Sequence, residues 1–287
     1  MIDLIKKKVA DFNEGVVGTE MMSRLDRIPT RLNEFGYDPF GFRPEILRYM
    51  ISLGFLACKY YWRVQTFGID NVPSKGRVLL ISNHAGQLPW DGFVIGSSIL
   101  LETKEPRVVR SMVEKFAYTV PFVGNLLSRL GQIIGTPENC IRLLQNEEAI
   151  LVFPEGVNGI SKLFTERYQL RDFGHGFMRL ALQTKTPIVP IAVIGSEEQM
   201  PSLYNFKSIG KMLGLPAMPI TPTFPFLGPL GGLPYPVKYR IYFGEPMLFT
   251  GDPDEEESET EKKVLTVRAT IQSMIQRGLS ERKHVFW

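Results

Sequence analysis

Three short, almost wholly apolar runs constrain the fold more than any other feature of the sequence. They occupy residues 78–81, 149–153 and 187–194, and each has a length typical of a buried β-strand. Segments with apolar residues at helical spacing lie between them, such as residues 90–101 and 174–184. Strands that alternate with helices predict a parallel sheet with helices packed on it. We therefore expect an α/β fold: a mixed, largely parallel central sheet flanked by helices, with an N-terminal helical appendage.

The first apolar run leads directly into a polar motif, SNHAGQLPWD, at residues 82–91. His84 follows the end of the buried strand, where open α/β sheets carry their chemistry. Asp91 comes after a turn, at the start of the next predicted helix. A histidine oriented by an acid is a general-base arrangement. A lone histidine after a strand is more often structural, but the chain has only three histidines, so few side chains can transfer protons near neutral pH.

Charge and cysteine content exclude several classes of function. The net charge is only +3 and the isoelectric point about 8.7, which is compatible with anionic lipid surfaces but does not indicate a nucleic-acid partner. The two cysteines, Cys58 and Cys140, form no disulfide framework, and we expect both to be buried and unreactive. A single His–Asp pair does not complete a zinc shell, so we predict no metal site.

The chain divides into three predicted parts: an N-terminal helical, membrane-facing appendage at residues 1–63, an α/β domain at 64–250, and an acidic linker with a C-terminal helix at 251–287. The most apolar stretch, YMISLGFLAC at residues 49–58, is shorter than the ~20 residues that span a bilayer. A buried helix and a monotopic membrane helix both fit it. We expect a peripheral or monotopic membrane protein at the cytoplasmic face.

Four motifs follow one another along residues 64–245. They are GIDNVPSKGRVLLISNH at 68–84, GQIIGTPENC at 131–140, FPEG at 153–156 and IVPIA at 188–192. In order and spacing they resemble the lysophospholipid/glycerolipid acyltransferase family, which includes bacterial 1-acylglycerol-3-phosphate acyltransferase. FPEG is the most specific of the four.

The resemblance implies transfer of a fatty acyl group from a thioester donor, acyl-CoA or acyl-ACP (acyl carrier protein), to the hydroxyl of a lysophospholipid such as 1-acylglycerol-3-phosphate. It assigns His84 as general base and Asp91 as the acid that orients its ring. Glu155, Gly156 and Asn83 are expected to bind substrate. No cofactor is implied beyond the thioester co-substrate. Two alternatives remain open: transfer to a neutral lipid alcohol or diacylglycerol, and a non-catalytic lipid-binding homologue.

The His–Asp spacing departs from the family pattern. The family usually separates the two residues by four positions, whereas six lie between His84 and Asp91. On one continuous helix seven positions rise ~10 Å, too far for a hydrogen bond. We therefore expect the helix to start late, near Pro89, after a turn at residues 86–88 that brings Asp91 back to His84.

The expected phosphate-binding arginines are a second departure. The family's second motif usually ends in an arginine, but Thr136 and Pro137 stand there, and the arginine that usually follows the third motif is also missing. Three basic residues downstream are candidate substitutes, although any one of them is more commonly a solvated surface charge: Lys162, Arg167 and Arg171.

An apolar segment rich in proline, LPAMPITPTFPFLGP, occupies residues 215–229. Its prolines exclude a helix or a central strand, and long apolar loops are unusual in compact domains. Two interpretations are equally compatible with the sequence. The segment is either a rigid loop packed on the core, or part of an acyl pocket or membrane-contacting lip.

Overall fold

The structure is a computed structural model that describes residues 2–212 and 218–287. Its strands are β1 (Gln65–Phe67), β2 (Val78–Ser82), β3 (Val109–Val113), β4 (Ile133–Ile134), β5 (Ala149–Val152), β6 (Ile188–Ile194), β7 (Tyr204–Phe206), β8 (Met218–Ile220) and β9 (Arg240–Phe243). Its α-helices are α1 (Ile2–Asp26), α2 (Pro44–Leu56), α3 (Trp90–Glu102), α4 (Lys115–Thr119), α5 (Val123–Arg129), α6 (Pro137–Gln145), α7 (Val157–Ile160), α8 (Gly176–Thr184), α9 (Lys207–Met212) and α10 (Glu257–Glu281).

Seven strands form the main sheet in the order β1-β9-β6-β2-β5-β3-β4. The five strands from β6 to β4 are parallel to one another, β9 is antiparallel to β6, and β1 is parallel to β9. All residues of the central strand β2 are buried, as expected of a strand covered on both faces. The predicted α/β class, with a mixed and largely parallel sheet, is confirmed.

Helices cover both faces of this sheet. On one face α6, α8 and α10 contribute Leu143, Met178 and Ile271 to a common apolar core. On the other face Ile95 of α3 packs with Trp62, which follows a π-helical turn at Ala57–Tyr61 that extends α2. The helix that begins at Pro44 therefore changes helical type after Leu56.

The N-terminal helices pack on the body of the protein. Helix α1 kinks at Gly18, where φ is 84°. Beyond the kink, Met22 and Leu25 form a small core with Ile51 of α2 and Leu100 of α3. Among the helices in the described ranges, none is both long and apolar enough to cross a bilayer. The membrane-facing role of residues 1–63 stays a prediction.

Two segments are more ordered than the sequence indicates. The sequence predicts that the acidic linker ends at Lys263 and that the C-terminal helix covers residues 264–278, but α10 begins at Glu257, where Glu257 and Glu259 in the first turn interact favourably with the helix dipole. Within residues 201–236, β7 and β8 pair as a small antiparallel sheet, and Pro219 fits there because neither strand is central. Residues 215–217 of the proline-rich segment lie outside the described residues.

Candidate active site

The central strands deliver three loops to one edge of the sheet. Strands β6, β2 and β5 are neighbours and run parallel, so their carboxyl ends meet, which is where open α/β sheets bind ligands. The loops that follow them contain residues 83–89, 153–156 and 195–199. The predicted motifs at residues 82–91 and 153–156 therefore lie side by side.

A tight bend places Asp91 beside His84. Gly86 and Gln87 have positive φ angles of 89° and 62°, and α3 starts at Trp90, close to the predicted start at Pro89. The bend brings Nδ1 of His84 to 2.7 Å from Oδ2 of Asp91. The longer spacing between the two residues is thus compatible with a direct hydrogen bond.

Asp91 is fully buried and held by several donors. Its Oδ2 also accepts the N–H of Ala85 at 3.0 Å, and its Oδ1 accepts the N–H of Gly92 at 2.8 Å. Because a carboxylate only accepts, Nδ1 of His84 is assigned the proton, which leaves the Nε2 lone pair free in the neutral ring. Within the described part of the chain, no residue forms a hydrogen bond with Nε2. This is the arrangement of a general base.

Two contacts fix the imidazole from its sides. The ring of Phe153 stacks on it, with centroids 4.0 Å apart and an interplanar angle of 18°. Helix α7 passes so closely that a Cβ atom on Gly159 would lie 2.9 Å from Cβ of His84 and 2.9 Å from its carbonyl oxygen. Only glycine fits this approach without displacing the histidine.

Glu155 is buried and ties the loops together. Its Oε1 accepts the backbone N–H of His84 at 2.9 Å, and its Oε2 accepts the backbone N–H of Arg171 at 2.8 Å and lies 3.3 Å from Nζ of Lys162. Both carboxylate oxygens are therefore engaged with the protein itself. This geometry holds the backbone of the loop that carries His84, and the expected contact of Glu155 with substrate stays a prediction.

Lys162 is enclosed between two acids. Its Nζ lies 3.0 Å from Glu197 and 3.3 Å from Glu155, and only 3% of the residue is exposed. Burial acts to lower the pKa of this ammonium, but the charges of Glu197 and Glu155 outweigh it, so the pKa is raised. The lysine stays charged, yet its charge is used within the protein.

The two candidate arginines lie nearer solvent. Arg171 is paired with Glu166, Nη2 to Oε2 at 2.6 Å, and its side chain is about two-fifths exposed. Arg167 is exposed and covers the ring of Phe164 at 4.6 Å. Neither guanidinium contacts His84 or Asp91, and only the backbone of Arg171 reaches the site, through Glu155.

The other predicted site residues, Asn83 and Gly156, and the Thr136 position take part in the protein's own structure. Both atoms of the Asn83 amide are bonded to the backbone of Val193 on β6, at 3.0 and 2.8 Å. Gly156 has a φ of 54° and precedes α7. Thr136, which replaces the family's arginine, caps α6 by accepting the N–H of Asn139.

The sequence did not reveal Gly159, Glu197 or Gln199 as parts of this site. A Cβ atom on Gly86 would lie 2.4 Å from the amide nitrogen of Gln199, so the bend before Asp91 packs directly on the loop after β6. Phe153 was visible as the first residue of FPEG, but nothing local indicated that its ring stacks on histidine. The other contacts join residues distant in sequence.

An apolar cavity of about 420 Å³ opens where β4 and β5 end. Its wall includes Met112, Val152 and Phe177, together with Thr136 and Cys140. Val152 packs in the core on one face of the sheet, whereas Phe153, which stacks on His84, packs in the core on the other face, and neither His84 nor Asp91 lines the cavity. Within the described ranges no group of three or more His, Cys, Asp or Glu side chains could hold a metal ion.

Comparisons with known proteins found one family model and several similar sequences. The family model named Acyltransferase matches residues 63–194. The chain is 37% identical over 260 residues to an uncharacterized protein of Mycobacterium tuberculosis strain H37Rv, covering 89% of this chain and 72% of that protein. It is 26% identical over 213 residues to a human protein named DGAT1/2-independent enzyme synthesizing storage lipids, covering 74% and 60%.

Among solved structures, the fold is similar to that of the 1-acyl-sn-glycerophosphate (LPA) acyltransferase PlsC from Thermotoga maritima. The TM-score is 0.55 and the sequence identity 17%, with 98% of this chain and 97% of that chain covered. At this identity the match establishes a shared fold and nothing finer.

Proposed function

Because the chain belongs to the lysophospholipid/glycerolipid acyltransferase family and is an acyltransferase, we propose that His84 and Asp91 catalyse acyl transfer from a thioester to a glycerolipid hydroxyl. The donor in this proposal is acyl-CoA or acyl-ACP, and the acceptor is a lysophospholipid such as 1-acylglycerol-3-phosphate. The observation that carries the proposal is the 2.7 Å contact between Nδ1 of His84 and the buried Asp91, with Nε2 left to meet the acceptor.

The proposed reaction needs one base and no covalent enzyme intermediate. Nε2 of His84 takes the proton of the acceptor hydroxyl as its oxygen attacks the thioester carbonyl. Asp91 stabilises the imidazolium that forms. When the C–S bond breaks, the departing thiolate receives that proton. One C–O bond forms and one C–S bond breaks, so the reaction balances without a cofactor.

The carbonyl oxygen becomes negative during the attack and needs hydrogen-bond donors. The N–H of Ala85 is already taken by Asp91. The N–H groups of Gly86 and Gln87 make no hydrogen bond to any described residue, and they lie on the bend beside His84. We assign the oxyanion contacts to these two groups.

In a phosphate-bearing acceptor, the phosphate requires a cation. Lys162 is enclosed by Glu155 and Glu197, so the proposal gives this role to the more exposed Arg167 and Arg171. Arginine suits it because its planar fork binds phosphate through two parallel hydrogen bonds. A bound phosphate would compete with Glu166 for Arg171.

A neutral acceptor is the second candidate. It is favoured by Thr136, whose hydroxyl caps α6 where the family carries a phosphate-binding arginine, and by the enclosure of Lys162. The human relative named for the synthesis of storage lipids is a further reason to test it. In this version the same His84 chemistry acylates a diacylglycerol or another neutral lipid alcohol.

The setting of the reaction is also part of the proposal. The enzyme works at a membrane surface as a peripheral or monotopic protein on the cytoplasmic side, because its acceptor and product are lipids. It needs no metal or other cofactor, and it has no nucleic-acid partner. Acyl carrier protein is a partner only if acyl-ACP is the donor.

Mass spectrometry of the lipids formed from one acyl-CoA and a mixed set of acceptors tests the proposal. The set pairs 1-acylglycerol-3-phosphate with monoacylglycerol and diacylglycerol. We expect the acylated phosphate-bearing product from the native chain and none from His84→Ala. Products from the neutral acceptors alone would establish the second candidate. Release of no CoA with any acceptor would support a non-catalytic lipid-binding protein.

The arginines provide an independent check on the acceptor. If phosphate is recognised by Arg167 and Arg171, replacing each with Ala raises KM for 1-acylglycerol-3-phosphate and leaves KM for acyl-CoA unchanged. Equal effects on phosphate-bearing and neutral acceptors would contradict this assignment, even if His84 is the base.

A further inference from the structure

One surface segment carries an unusual share of the exposed apolar side chains. Across the described ranges 25 large hydrophobic side chains are exposed, and nine of them lie between Leu203 and Leu233. We call the six most exposed of these nine the apolar lip: Leu203, Met212, Phe226, Leu227, Leu230 and Leu233. Isolated exposed hydrophobic residues are ordinary, but their concentration in one segment marks an interaction site.

The segment that bears the apolar lip is held by its own hydrogen bonds. The N–H of Leu203 donates to the carbonyl of Ile220 at 2.7 Å, which extends the pairing of β7 with β8. The hydroxyl of Thr223 donates to the carbonyl of Gly231 at 3.0 Å. In its described parts, residues 203–212 and 218–233, the segment therefore displays its apolar side chains on a hydrogen-bonded backbone, so binding a partner needs little further ordering there.

The segment is anchored next to the catalytic histidine. The side-chain amide of Asn205 donates to the carbonyl of Ser161 at 2.7 Å, immediately after α7, whose Gly159 lies against His84. The segment is thus attached directly after the short helix that packs on His84.

Charge favours a lipid surface as this partner. Residues 199–244 contain no Asp or Glu but four Lys or Arg residues, so an anionic surface meets no acidic repulsion from this segment. Exposed Tyr60 and Tyr61 adjoin it, since the hydroxyl of Tyr61 donates to the carbonyl of Pro234 at 2.6 Å. Tyrosine and tryptophan are enriched where proteins meet the headgroup region of a bilayer, and Trp287 is exposed beside Arg63.

We infer that the apolar lip inserts into the headgroup region of an anionic phospholipid bilayer and holds the opening of the active site against the membrane. This places the contact on residues 203–233, far along the chain from the predicted N-terminal appendage. The inference rests on the proposed function for its purpose, because a lipid acceptor has to leave the bilayer to reach His84. Its test measures binding, which is independent of turnover.

Flotation of the full chain with vesicles of phosphatidylcholine and phosphatidylglycerol in equal parts tests this. We expect the double variant Phe226→Glu, Leu230→Glu to lower the vesicle partition coefficient by about tenfold or more, because two apolar side chains no longer enter the lipid and two like charges face it. The matched control is Leu248→Glu, Leu265→Glu, which changes the same charge at exposed sites outside the lip and is expected to bind as the native chain does.

The outcomes separate this inference from its rivals. Unchanged flotation of the lip variant would overturn it, as would equal loss in the control. Loss caused instead by Phe12→Glu on α1 would assign the contact to the N-terminal appendage. A dimer that the lip variant dissociates, without vesicle binding by the native chain, would assign the lip to self-association. Reduced flotation of the lip variant with no acyl transfer by the native chain would leave this inference standing and remove the proposed function.

Discussion

Lys162 and Glu197 form a buried ion pair, with Nζ and Oε1 3.0 Å apart, although the two residues are 35 positions apart in sequence. The same ammonium lies 3.3 Å from Glu155, whose other oxygen accepts the backbone N–H of His84. The loop after β6 is therefore connected to the backbone of His84 through one lysine and one glutamate. The arrangement makes Lys162 a positioning residue, and it removes the lysine from the set of groups free to bind phosphate.

Lys162→Met is expected to destabilise the fold by about 3–5 kcal/mol, because it leaves two carboxylates buried without their counter-charge. Urea unfolding monitored by circular dichroism measures the loss. The exposed Lys262→Met, which removes a surface pair with Glu259, is the control and should change stability by less than about 0.5 kcal/mol. Similar values for the two variants would show that the buried pair contributes no more than a surface one.

The stability deficit of Lys162→Met should depend on pH. Burial raises the pKa of the Glu197 carboxyl above its ordinary value. A group whose pKa is raised on folding favours the folded state below its unfolded pKa, and that contribution is lost as the pH rises through the folded value. The charge of Lys162 counteracts this rise, so its removal should raise the pKa of Glu197 further, and the variant should therefore recover stability relative to the native chain as the pH falls from neutral. A deficit that grows on acidification would contradict this account.

The sheet was predictable because its signals are local. The apolar runs that become β2, β5 and β6 are visible within a few residues each, and alternation with helices specifies parallel pairing. Helix α10 was predicted too short because its acidic first turns were assigned to a linker, whereas Glu257 and Glu259 suit a helix N-terminus and Thr260 is buried. The β7–β8 pair was missed because proline argues against strands except at positions that need no central hydrogen bond.

In the candidate site too, features with a local sequence signal were predictable, and contacts between distant residues were not. Gly86 and the seven-residue offset in the sequence were sufficient to predict a bend that returns Asp91 to His84. The enclosure of Lys162 was not predictable, because its partner Glu197 lies on another loop and no local pattern marks a lysine as buried. The hydrogen bonds between the Asn83 amide and Val193 on the neighbouring strand were not predictable either, because only the strand order creates them, and the expected substrate contact of Asn83 stays a prediction.

Asp91→Asn is expected to lower kcat by about 10³-fold or more, since an amide cannot stabilise the imidazolium and can orient the wrong tautomer. The double variant His84→Ala, Asp91→Asn should be no slower than His84→Ala alone, because the pair acts as a unit. Steady-state acyl transfer on the single and double variants measures this. Additive losses would mean that Asp91 has a role separate from His84.

Neither cysteine should take part in the reaction. Burial raises the pKa of the Cys58 thiol to about 12 and that of Cys140 to about 11, so the reactive thiolate is scarce near neutral pH. We expect iodoacetamide to alkylate both cysteines slowly in the native protein. The rate should increase with pH and reach no plateau at mildly alkaline pH. Alkylation should become rapid when the protein unfolds. Cys140→Ser should retain acyl transfer, and its loss would indicate a thiol-dependent step.

Gly159→Ala tests whether the position of His84 limits the rate. The added Cβ would lie 2.9 Å from Cβ of His84 and 2.9 Å from Cβ of Glu155, so the histidine or α7 has to shift. We expect kcat to fall about 10²-fold, because small displacements of a catalytic group are costly, with a stability loss of about 1–3 kcal/mol. Gly96→Ala on α3 is the matched control, since its Cβ would meet nothing within 4 Å, and the helix should gain slightly in stability. If both variants keep native kcat, the close approach of α7 has no catalytic consequence.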